Sequence, residues 1–192
     1  MNALISISDV KNYIDVLATD TTYDTILTTL VSVASETIER YCNQPIASTL
    51  TTENFIGNGI ASKYLDYFPV NSINAIQYQT DVGEDWVDVD TSEYELYNIN
   101  RGYYIENSGG FSSLYRYRAG LNVGYSTIPY DVQNVAIEMC AVSYNESAIN
   151  GGMRLGIESM TDNRINIVAT TKYLDMNSRW KRVLDSYRKI TI

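Results

Sequence analysis

The spacing of apolar positions changes twice along the chain. Near the start, Val10, Ile14 and Leu17 share one helical face. Ser6 followed three residues later by Asp9 has the form of a capping box. Together they predict a first helix over about residues 6–18. Thr21 and Asp24 repeat the box, and Ile26, Leu27, Leu30, Val31, Ala34 and Ile38 form a stripe, predicting a second helix over about 22–42. Pro45 stops any continuation. The period then falls toward two. Thr49–Ile56 and Lys63–Tyr67 flank Gly57-Asn58-Gly59, which predicts a hairpin turn. Ile73–Gln79 follows, then a short strand around Trp86, Val87 and Val89, then a second hairpin-like pair, Tyr94–Tyr97 and Tyr103–Glu106. In Leu114–Val123, Tyr115, Tyr117, Ala119 and Leu121 alternate with Arg116, Arg118 and Asn122. Helical spacing returns behind Pro129 with Val132, Val135, Ala136, Met139, Cys140 and Ser143, predicting a helix over 129–147. Residues 151–173 have no clear period, and Arg164–Ala169 reads as a short strand or an extended arm. Ser178 is placed to cap a last helix over 178–189, with Val183, Leu184 and Tyr187 turned inward.

Helices at both ends with strands between them make an α+β chain rather than a series of βαβ units. The expected architecture is a small antiparallel bundle of N- and C-terminal helices. A lobe of short antiparallel strands, about 49–123, is inserted in it, all within one domain spanning 1–192.

Composition narrows the chemistry. With 192 residues, 45% apolar and 19% charged, the chain can bury a core without metals or disulfides. No apolar run is long enough to predict a membrane span, and the opening Met-Asn-Ala-Leu-Ile predicts no signal peptide. Histidine is absent, which removes the commonest metal ligand and the usual general base near neutral pH. Cys42 and Cys140 lie on the apolar faces of predicted helices and read as reduced, buried small side chains. There is no phosphate-binding loop, zinc spacing or nucleophile elbow. Asp81, Glu84, Asp85, Asp88 and Asp90 offer oxygen ligands but lack the helix–loop–helix frame of a calcium loop, so they read as a solvated acidic turn. Glu36 and Glu39 sit beside Arg40 on a polar helix side, and Glu138 and Glu146 have no evident partner. No catalytic, cofactor or metal site is predicted, and the chain is not read as an enzyme.

Charge is unevenly spread. Residues 1–100 carry three basic and fifteen acidic side chains, a net of −12, whereas residues 101–192 carry eleven and eight, a net of +3. Opposite fields at two ends favour docking between copies. The acids of 81–90 are one pole. Arg179, Lys181, Arg182, Arg188 and Lys189, with Trp180 and Tyr187, are the other. This second patch suits an acidic protein surface or nucleic acid. The 17 tyrosines suit surfaces that are wet before assembly and dry after it.

Several segments resemble the head–tail connector, or head-completion and adaptor, family of tailed bacteriophages. These are Ile5–Ile14, Ala34–Cys42, Phe55–Gly59, Tyr64–Leu65, Phe68–Ile73, Ser92–Leu96, Arg101–Ile105, Val123–Val132 and Val183–Arg188, all in the family's order. The most recognisable is Gly124-Tyr125 leading to Pro129. The resemblance implies a non-enzymatic ring, usually of about twelve copies, beneath the portal. Such a ring lies at the head–tail junction of the virion, after assembly in the host cytoplasm. It extends the DNA channel, lets DNA pass without specific binding, and receives a downstream neck or tail protein. It also implies a portal contact around Arg179, Trp180, Arg182 and Tyr187, and a ring or tail contact around Asp81, Glu84, Asp85, Asp88, Asp90 and Phe111. The alternatives are another neck or tail-completion ring protein, or a nucleic-acid-binding adaptor module. No cofactor and no membrane partner are expected.

Overall fold

The computed structural model describes residues 2–99, 102–146, 160–162, 165–167 and 176–189. In chain order the elements are α1 (Ile7–Tyr13), α2 (Asp24–Cys42), β1 (Thr49–Ile56), β2 (Ser62–Tyr64), β3 (Val70–Gln79), β4 (Val87–Asp88), β5 (Tyr94–Ile99), β6 (Gly102–Asn107), β7 (Arg116–Val123), α3 (Tyr130–Glu146), β8 (Met160–Asp162), β9 (Ile165–Ile167) and α4 (Ser178–Leu184). A single 3₁₀ turn, Asp185–Tyr187, follows α4. Terminal helices flank antiparallel strands, so the chain is α+β, as the change of period predicts. It divides into two compact units. A helical unit comprises Ala3–Cys42 and Ile128–Arg188, and a strand unit comprises Asn43–Thr127 with Asn2 and Lys189.

In the helical unit, Ser6 and Asp9 make both bonds of the expected capping box. The helix they start is shorter than the predicted 6–18. It stops at Tyr13 because Asp15 takes a left-handed φ of 58° and the Val16 N–H turns back to the Lys11 carbonyl at 2.9 Å. This is a Schellman closure. Leu17 therefore lies outside the helix and is exposed. The second expected box is replaced as well. Asp20 accepts the Thr22 N–H at 2.9 Å, while Asp24 reaches Lys11 at 2.5 Å. Lys11 is buried, and its ammonium also donates to the Asp20 carbonyl at 2.7 Å. The 14–23 turn thus folds around one desolvated cation.

The α2 stripe buries Leu27, Val31, Ala34 and Ile38 with Val10 of α1, Val132, Val135 and Ala136 of α3, and Leu184 of α4. Each large aliphatic fully buried contributes roughly 1.5–3 kcal/mol. Pro129 precedes the first residue of α3, where its carbonyl accepts the Gln133 N–H at 3.0 Å and its missing N–H costs nothing. The cap of α4 is Asn177, not Ser178. The Asn177 side chain accepts the Trp180 N–H at 2.8 Å, which leaves Ser178 as the first helical residue. The helix is also shorter than the predicted 178–189. In the ambiguous segment, β8 pairs with β9 in an antiparallel ribbon. The rest of residues 147–175, and residues 100 and 101, where a turn is expected from the sequence, lie outside the described residues.

The strand unit holds two antiparallel sheets, ordered β1-β7-β3-β4 and β2-β6-β5. Their inner faces share one core of Val70, Ile76, Ile105, Phe111, Tyr117, Ala119, Leu121 and Val123. The alternation expected for β7 is observed: Tyr117, Ala119, Leu121 and Val123 are buried and Arg116 is exposed. The predicted hairpin at Gly57-Asn58-Gly59 is not formed. β1 pairs with β7 and β2 with β6, so the chain changes sheets there. Gly57 is needed for a close approach, because a Cβ would sit 2.0 Å from the Ser112 carbonyl oxygen. Its N–H donates to the Tyr115 carbonyl at 3.1 Å, and that of Gly59 to Phe111 at 2.7 Å. At the other end of the unit, Gly124 has a φ of 91°, and a Cβ there would meet the Ala47 carbonyl oxygen at 2.5 Å. The Tyr125 N–H reaches Ile46 O at 2.7 Å beside a parallel bridge between Ala47 and Tyr125. The Gly-Tyr pair thus joins the first and last stretches of the unit.

Candidate interaction surfaces

The basic C-terminal pole is α4 with its 3₁₀ turn, held against α2 and α3 by side-chain contacts. The indole N–H of Trp180 donates to Glu138 Oε2 at 2.7 Å. Glu138 Oε1 receives the Arg179 guanidinium at 3.0 Å and the Asn134 amide at 2.9 Å. The Tyr187 hydroxyl donates to Asp131 at 2.8 Å, and the Tyr41 hydroxyl to Asp185 at 2.6 Å. That last hydrogen bond is the main cause of an upward shift in the Tyr41 pKa. The Arg188 guanidinium lies 5.4 Å from the Tyr41 ring centre.

Of the residues expected at a portal contact, Trp180 and Tyr187 are therefore partly buried and face inward, while Arg182 is exposed. Arg179 does both: it is paired with Glu138, yet its side chain is 73% exposed. Lys181 is exposed beside Arg182. The outward charge is thus centred on Lys181 and Arg182, and the aromatics set the pose of the helix. Glu138, which has no evident partner in the sequence, is the residue that gathers Arg179 and Trp180. Its only sequence signal is Asn134 one helical turn before it.

Asp81, Glu84, Asp85, Asp88 and Asp90 are all exposed, on and around the β3–β4 turn. The turn is internally bonded. Asp81 accepts the Val82 N–H at 2.7 Å, Gln77 donates to Asp88 at 2.6 Å, and the Thr80 hydroxyl donates to Glu84. The N–H and hydroxyl of Ser92 both donate to Asp90, at 2.9 and 2.8 Å, which holds the Asp90 carboxyl below its usual range. Among the described residues no group of three or more Asp, Glu, Cys or His is arranged to hold a metal ion. Phe111 does not belong to this surface. It is 1% exposed and packs edge-on against Phe55 and Tyr117, with centroids 5.2 and 5.1 Å away. Its place in an apolar cluster outweighs its position in a loop.

Two ion pairs have no sequence signature. One is Lys11–Asp24. The other joins Glu53, on the inner face of β1, to Lys63 at 2.8 Å, with the Asp66 N–H donating to the same carboxylate at 3.0 Å. Cys42 and Cys140 are free and buried, and desolvation pushes each thiol up to about 12. No described helix is long and apolar enough to cross a membrane.

No curated protein matches the chain. A protein in the neck of an empty gene transfer agent particle, computed with C6 symmetry, is similar in fold at 13% identity, with a TM-score of 0.63 over 98% of this chain and 91% of that one. A protein of the native gene transfer agent virion is similar at 14% identity and a TM-score of 0.62, again over 98% and 91% of the two chains. A protein of the native neck computed with C12 symmetry is similar at 13% identity, with a TM-score of 0.57 over 100% of this chain and 96% of that one. The family model described as head completion protein matches residues 3–190, so the chain belongs to the head completion protein family of tailed-phage head–tail connectors.

Proposed function

We propose that copies of the chain form a closed ring in the neck of a tailed phage particle, usually of about twelve subunits, between the portal and the tail. The chain is a structural virion protein of the head–tail junction and not an enzyme. The observation that carries this reading is the family match over residues 3–190. In the ring, the outward face of α4, centred on Lys181 and Arg182 with Arg179 beside them, docks on the portal. Trp180 and Tyr187 act through Glu138 and Asp131 by fixing that helix. The exposed acids Asp81, Glu84, Asp85, Asp88 and Asp90 meet the tail-side component, and acidic groups near the channel let DNA slide without sticking.

A null allele tests the role. Phage lacking the chain should yield DNA-packaged heads that lack tails and lose their genome, and purified protein added to them should restore infectivity. Normal tailed particles without the chain would contradict it.

A further inference from the structure

The outer faces of the two sheets in the strand unit differ in chemistry. Both inner faces contribute to one core, so the outer faces point in opposite directions from that unit. On the β2-β6-β5 sheet, register aligns Tyr64 with Tyr104 and Tyr104 with Tyr97. Their ring centres are 5.7 and 5.1 Å apart, and the second pair is stacked. The next aligned row on this face holds Glu106 and Glu95, both exposed, and the Tyr97 hydroxyl donates to Glu95 at 2.8 Å. Tyr64 is 67% exposed and Ile99 53%. This is a rigid aromatic ladder with carboxylates alongside it.

On the outer face of the β1-β7-β3-β4 sheet, Arg116 aligns with Ile56 and Gln79, and Arg118 with Asn54 and Gln77. Arg118 is held in place. Its Nε donates to Gln77 at 2.5 Å, and its guanidinium stacks 4.4 Å from the Trp86 ring centre. Leu50 and Ile56, 68% and 70% exposed, supply apolar area. Asp88, bonded to Gln77, and Glu84, bonded to Thr80, mark the rim of the face.

We infer that the tyrosine–glutamate face of one copy docks on the arginine face of the next copy, making the subunit-to-subunit contact of the ring. Guanidinium groups stack on tyrosine rings and pair with carboxylates, and fixed side chains lose little freedom on binding. A ring needs two different, mutually complementary patches on each subunit, and one strand unit carries both. The inference rests on the ring reading above.

Charge reversal tests it with the full chain and its portal, counting bound copies per portal by mass photometry. The Glu95→Arg/Glu106→Arg variant and the Arg116→Glu/Arg118→Glu variant should each load the portal about tenfold more weakly than the parent. A 1:1 mixture should regain full loading, because every contact in an alternating ring again joins opposite charges. Arg116→Glu alone, at an exposed site, serves if the double arginine variant melts early. Full loading by either variant alone, or no recovery in the mixture, overturns this interface while leaving the neck role standing. A parent chain that never loads the portal overturns both.

Discussion

Trp180 and Glu138, forty-two positions apart in sequence, meet through an indole N–H donated to Glu138 Oε2 at 2.7 Å. The other oxygen of that carboxylate holds Arg179 and Asn134. One acid on α3 therefore fixes the orientation of the short helix α4. Glu138→Ala leaves the indole donor without its acceptor and should cost about 1–3 kcal/mol. Its signature should be a red shift of Trp180 fluorescence at temperatures below global unfolding. Unaltered fluorescence and melting would show that Leu184 and the Tyr187–Asp131 and Tyr41–Asp185 hydrogen bonds seat α4 without Glu138.

Lys11 is 4% exposed, and its ammonium has two backbone carbonyls and Asp24 for company. Lys11→Met removes the cation and leaves those acceptors behind, which should cost roughly 3–5 kcal/mol. Asp24→Asn should also destabilise, by a comparable amount, because it leaves the buried ammonium without its counter-charge. Urea midpoints of the two variants check this, and an unchanged midpoint for either would contradict the assigned burial.

Gly57 faces the Ser112 carbonyl with no room for a methyl group. Gly57→Ala must push apart two backbone segments rather than a side chain, so a loss of about 2–4 kcal/mol is expected. A near-neutral change in thermal stability would mean the 57–60 and 111–115 segments part easily.

Much of this architecture is legible from periodicity alone. The β7 alternation, the α2 stripe and the proline before α3 are patterns of local chemistry, and the structure keeps all three. What escapes the sequence is long-range. Gly57-Asn58-Gly59 has hairpin composition, but composition does not say that β7 rather than β2 pairs with β1. The Asp15 turn ends α1 early because a buried Lys11 draws the following loop inward. The predicted surface residues divide in the same way: their charge is visible in the sequence, but not which of them turn inward. Phe111, Trp180 and Tyr187 are anchors within the fold, whereas Arg182 and the acids of the β3–β4 turn remain on the surface.

Cys42 and Cys140 have thiols pushed up to about 12 by burial. Unfolded thiols ionise near about 8.5. The folded state therefore keeps protons that the unfolded state releases between those values. The thiols' contribution to stability is complete below that window and declines as pH rises through it. The denaturation midpoint should fall above about pH 9, and less steeply in Cys42→Ala/Cys140→Ala. In the folded protein at pH 8 both thiols should react with a thiol reagent only as fast as the chain opens. Rapid stoichiometric labelling would contradict their burial.

The neck assignment is decided by electron micrographs of the purified chain mixed with its portal. The expected image is a ring of this protein seated coaxially on the portal, with α4 at the contact, and its loss when Lys181→Glu and Arg182→Glu are introduced together. Portal particles that stay bare at saturating concentrations of the parent chain would contradict the assignment.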